Sequence, residues 1–117
     1  MPILNNSKKI FTGKNPKRFE NWLIDNPTYA NDAYPLTYKR FKELSGSLQV
    51  GVILLFYDSF ELNGYGFAGN EIGTQKKNYY YRINGDRPQN KKFDSLPKAH
   101  QALLVELNKM LNTLLKS

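Results

Sequence analysis

The most restrictive pattern in the chain lies at its C-terminal end. From Leu96 to Lys116 the residues Leu96, Ala99, Leu103, Leu107, Met110, Leu111, Leu114 and Leu115 recur at helical spacing, with Lys98, Gln101, Asn108, Lys109 and Asn112 assigned to the opposite side. Asp94-Ser95 supplies an N-cap and Pro97 sits in the first turn, where its missing N–H does no harm. An apolar face this broad has to be covered by a second layer, so the preceding residues must provide one. The same stripe offers a dimer seam through the C-terminal helix, although the heptad pattern is short and core packing is the preferred reading.

The stretch Leu48 to Tyr57, LQVGVILLFY, is read as the covering sheet's central strand, because it is rich in β-branched and aromatic residues and apolar at both parities. Asp58-Ser59 reads as a reversal, and Phe60 to Phe67 as a returning strand whose glycines permit a bulge or a close backbone approach. Lys76 to Asn84 gives the third strand. With Ile83 inward, Tyr79, Tyr81 and Lys77 share its face, while Lys76, Asn78, Tyr80, Arg82 and Asn84 point outward. Asn84-Gly85-Asp86 then forms a turn. Two short helices precede the sheet, one from Pro16 to about Asp25 capped by Asn15, the other from Pro35 or Leu36 to Leu44. Trp22 is assigned to the core. The expected fold is α+β: a three-stranded antiparallel sheet, with residues 1–14 as an arm or an added N-terminal edge strand, packed on a long C-terminal helix within one domain spanning residues 1–117.

Charge is where the sequence begins to bear on function. The chain carries a net +7, and it is uneven. Residues 1–18 hold Lys8, Lys9, Lys14, Lys17 and Arg18 with no acid, residues 19–75 are net acidic, and residues 76–98 hold seven bases against Asp86 and Asp94. Two basic segments bracketing an acidic middle make one positive face if the fold joins them. Within the second segment, cations interleave with aromatics, the combination that meets phosphates with charge and bases with ring faces. The candidate nucleic-acid contact set is Lys76, Tyr80, Arg82, Arg87, Lys91 and Lys92, with Lys8, Lys9, Lys14, Lys17 and Arg18 as a basic arm.

The leading expectation is therefore a small non-enzymatic module that binds DNA or RNA. The alternative is a protein-binding inhibitor, immunity factor or mobile-element accessory protein docking on an acidic partner, given eight tyrosines and seven phenylalanines. A third reading is a metal-free ribonuclease toxin, with His100 as base and Arg82, Arg87 and Lys91 as phosphate stabilisers.

Inventory removes other chemistry. With no cysteine, disulfides, thiolate catalysis and cysteine-ligated zinc are excluded. The longest apolar run is too short to span a bilayer, so a cytoplasmic location and no membrane partner are expected. No phosphate-binding loop or zinc-protease motif occurs, and no cofactor is expected. Gly64-Tyr65-Gly66-Phe67-Ala68-Gly69 has glycines near a dinucleotide spacing but leads into a loop instead of a βαβ helix. His100 is expected half-buried beside the apolar face, without metal-binding carboxylates. Asp58 and Glu61 read as turn and surface residues. From Pro35 onward the expected order of helix, three strands and helix resembles that of the double-stranded RNA-binding domain. Only the order is shared: Asp58-Ser59-Phe60 stands where that family has Gly-Pro-x-His, and Phe93 to Pro97 separates Lys91-Lys92 from the last helix, so no contact is carried over.

Overall fold

The computed structural model describes residues 10–26, 36–70, 73, 75–84 and 91–116. In order they form α1 (Asn15–Asp25), α2 (Tyr38–Lys42), α3 (Gly46–Asp58), β1 (Gly64–Asn70), β2 (Lys77–Ile83) and α4 (Leu96–Leu114). The fold is α+β, but among the described residues its sheet has two strands instead of three.

The expected central strand is a helix. In α3 the residues Gln49, Val52, Ile53, Phe56 and Tyr57 are buried, a repeat of three and four, whereas Leu48, Gly51, Leu55 and Asp58 are exposed. Because apolar residues also occupy the solvent side, Leu48 and Leu55 fill the gaps that would have betrayed the helical period. A run of this kind looks the same whether it is a buried strand or a buried helix. Thirteen residues form the element, nearer the length of a helix than of a strand. The element order therefore departs from that of the double-stranded RNA-binding domain.

The reversal after it is a helix ending. Glu61, at φ +62°, takes the left-handed position, its N–H donates to the Asp58 carbonyl at 2.8 Å, and the Leu62 N–H reaches the Tyr57 carbonyl at 3.1 Å. The returning strand consequently starts at Gly64, not Phe60.

β1 and β2 pair antiparallel with Gly64 opposite Ile83, Gly66 opposite Tyr81, Phe67 opposite Tyr80 and Asn70 opposite Lys77. Asn84 at φ +51° closes the open end, accepting from the Asn63 N–H through its side chain and donating back through its own N–H, both at 2.7 Å. On the far edge of β2, Tyr79 and Phe93 exchange two backbone hydrogen bonds in an isolated bridge. An isolated hairpin is marginal in water, so α4 supplies its stability by lying across one face.

Contact with that face depends on glycine. A Cβ on Gly64 would fall 2.7 Å from a Leu103 methyl, and one on Gly66 would fall 2.7 and 2.8 Å from the His100 ring. The α4 leucines Leu103, Leu104, Leu107 and Leu111 are fully buried, with Phe19, Phe41, Ile53, Phe56 and Tyr57 in the same core. The stripe is thus packed within the chain, leaving Leu114 exposed at its end. Trp22 stacks on Phe19 at 6.1 Å between centroids and meets Phe56 edge-on at 5.7 Å.

Along α4, periodicity places Lys98 and Lys109 correctly on the exposed side but misplaces Asn108. Asn108 is buried, and so is Asn15, which is not the cap of α1 but its inward-facing first residue. Gly13, at φ +62°, turns the chain so that Thr12 and Asn15 both reach Asn108. Residues 10–14 form bends and turns and dock Ile10 in the core. The edge-strand expectation for residues 1–9 lies outside the described residues.

Candidate nucleic-acid interface

Strand parity sorts the hairpin into two unlike faces. Gly64, Gly66 and Ala68 of β1 lie opposite Ile83, Tyr81 and Tyr79 of β2 on the side that meets α4. Tyr65, Phe67 and Gly69 lie opposite Arg82, Tyr80 and Asn78 on the other. β1 therefore inverts the usual arrangement, with its small residues toward the core and its aromatics away from it.

The rings on this outer face form a connected group. Phe67 and Tyr80 stack at 5.6 Å with 25° between their planes, and Tyr65 lies 5.8 Å from Phe67. Gly69 makes room for Tyr80, whose Cε2 would stand 3.2 Å from a Cβ there. Tyr65 is 49% exposed, whereas Phe67 and Tyr80 are half-buried. Arg82 is the cross-strand partner of Tyr65, and its Nε–H is shielded from solvent without a hydrogen-bond partner among the described residues. Asn78, expected to be an outward strand residue, is on that face but buried, and its Nδ2 also lacks a partner among the described residues.

The remaining candidates distribute unevenly. Lys76 precedes β2, and Lys91 and Lys92 are exposed beside its outer edge, with the Lys91 ammonium 5.7 Å from the Phe93 ring. Arg87, Lys8 and Lys9 lie outside the described residues. Lys14 and Lys17 are exposed, and Lys17 approaches Glu20 at 3.9 Å. Arg18 is tied into the fold: its guanidinium donates to Asn15 and Asn112 side chains at 2.8 and 3.1 Å and reaches the Leu115 carbonyl at 3.4 Å. The two basic segments meet different halves of α4. Gly66 sits over His100 while Arg18 contacts Asn112, about 18 Å apart along the helix axis at its usual rise. The described part of the proposed arm does not continue the hairpin's aromatic face.

The sequence reading missed Tyr65 and Phe67. Their signal was present in Gly64-Tyr65-Gly66-Phe67-Ala68, a strict alternation of small and large residues. Taking aromatics as the inward set reverses the face, and only the contacts with Leu103 and His100 fix its sense.

Among the described residues the hairpin separates His100 from Arg82. His100 packs beneath Gly66 on the α4 side, across the sheet from Arg82, and burial holds its pKa below the ordinary value. Burial likewise raises the Tyr81 hydroxyl, with Glu106 adding to the shift. Among the described residues no cluster of three or more His, Asp or Glu side chains is arranged to hold a metal ion, and no helix is long and apolar enough to cross a membrane. No protein-family model matches the chain, and no match is found among curated proteins or solved structures.

Proposed function

We propose that the protein is a small, non-enzymatic nucleic-acid-binding module of the cytoplasm whose contact surface is the outer face of the β1–β2 hairpin. The observation that carries this reading is the inverted alternation of β1, with Tyr65 and Phe67 turned away from the core beside Tyr80 and Arg82. A monomer seldom exposes linked aromatic rings without a partner for them. Arg82, with Lys76, Lys91 and Lys92 along the hairpin edge, supplies the cations that phosphates require. In this reading Arg87 belongs to the same contact set, and Lys8, Lys9, Lys14 and Lys17 add only long-range attraction. Arg18 drops out because its donors are engaged within the fold.

The test is fluorescence anisotropy with labelled DNA and RNA at two salt concentrations. Affinity should fall steeply with salt, and substitution of Lys91 and Lys92 by glutamine should flatten the slope. Absence of binding to either polymer at low salt would end the proposal. A second reading, docking on an acidic protein, draws support from Leu48 and Leu55, which are 41% and 54% exposed on the solvent side of α3. A stoichiometric partner recovered from the native host after nuclease treatment would favour it.

A further inference from the structure

Resting on the nucleic-acid reading, we infer that the hairpin face takes unpaired bases, so that its ligand is a single strand and Tyr65 is its principal stacking platform. The face offers ring surfaces, not a row of base-edge readers. Phe67 and Tyr80 are already stacked on each other, and Gly69 lets Tyr80 lean across the strand without a side chain beneath it. Tyr65 continues the group and is the most exposed of the three.

Duplex nucleic acid conceals its base faces in its own stack and presents edges in its grooves, which are read by hydrogen-bonding side chains. An aromatic cluster has little to offer those edges. Unpaired bases expose the complementary flat surface, and stacking on an aromatic side chain is tolerant of base identity. Arg82, the partly exposed cross-strand partner of Tyr65, brings a positive charge to the same face, and Lys91 and Lys92 stand exposed beside the hairpin edge. Charge complementarity thus favours an anionic strand over a neutral occupant of the same face.

The experiment compares a mixed-sequence single strand of about 10 nucleotides, as DNA and as RNA, with the duplex of each at equal salt. The single strands should bind at least tenfold tighter than either duplex. Tyr65→Ala should weaken single-strand binding by roughly tenfold, and Tyr65→Phe should retain it, because the ring and not the hydroxyl is required. Circular dichroism and thermal unfolding of both variants should match the parent, since Tyr65 is half exposed.

Equal or tighter duplex binding, or an unaffected Tyr65→Ala variant that still binds salt-dependently, overturns the single-strand inference while leaving the nucleic-acid reading intact. Failure of all four probes to bind overturns both. Self-association seen by sedimentation and abolished by Tyr65→Ala assigns the face to a second copy of the chain and likewise overturns the inference.

Discussion

Asn15 donates from its side-chain amide to the Asn108 side-chain oxygen at 2.7 Å, joining the first residue of α1 to the fourth turn of α4 across 93 residues of sequence. The bond is one strand of a satisfied network. The Thr12 N–H also donates to the Asn108 oxygen at 2.9 Å, the Asn108 amide donates to the Thr12 hydroxyl at 2.8 Å, and Arg18 donates to the Asn15 oxygen at 2.8 Å. Removing one member leaves the others buried and unpaired. Asn108→Ala should therefore destabilise the protein by about 2–4 kcal/mol, measured by urea unfolding. A double-mutant cycle with Asn15→Ala should give a coupling energy of about 1–2 kcal/mol, and additive effects would refute the network.

Glycines at two positions should respond in opposite directions. Gly66→Ala drives a methyl into the His100 ring, forcing α4 off the hairpin, and should cost about 1–3 kcal/mol. Gly51→Ala falls on the exposed side of α3, where an added Cβ meets nothing within 4 Å among the described residues, and should stabilise by up to about 1 kcal/mol. Thermal unfolding of both variants checks the pair.

Tyr57 is fully buried, and its hydroxyl has no hydrogen-bond partner among the described residues. Burial pushes its pKa well above the ordinary value. Tyr57→Phe keeps the ring and deletes an unsatisfied group, so stability should hold or rise by up to about 1 kcal/mol in denaturant titration. A loss larger than that would mean the hydroxyl has a partner.

His100 sets an acid limit. Burial under Gly66 holds its folded pKa below 6.5, so the unfolded chain takes up the proton first as pH falls. Its contribution to stability is complete above pH 6.5 and is lost as pH descends through the lowered folded value. His100→Gln should flatten stability against pH across that window. An unchanged profile, measured by unfolding at constant ionic strength, would assign the acid response elsewhere.

The boundaries of α1, β2 and α4 were readable because each carries an unambiguous local signal. Pro16 marks the first turn of α1, the Tyr79 to Ile83 alternation defines β2, and Ser95 caps α4 by accepting from the Lys98 N–H. On the candidate site, parity correctly sent Tyr79 and Tyr81 to the α4 side and left Tyr80 and Arg82 together on the other. Their neighbours Tyr65 and Phe67 escaped notice because they belong to a strand whose inward face is made of glycine.

By itself the sequence determined the long amphipathic helix, the second hairpin strand and the uneven positive charge, since periodicity, capping and ionisation are properties of local residues. Tertiary structure decided the rest. Leu48 to Tyr57 is apolar at nearly every position and satisfies strand and helix alike until α4 and the Phe19 cluster select which side chains are buried. Asn15 and Asn108 look like surface residues until the chain brings each to the other, because a buried amide is tolerable only when a distant partner completes its hydrogen bonds. The aromatic face arose the same way: Gly64 and Gly66 admit α4 on one side of the hairpin, and that contact alone turns Tyr65 and Phe67 outward.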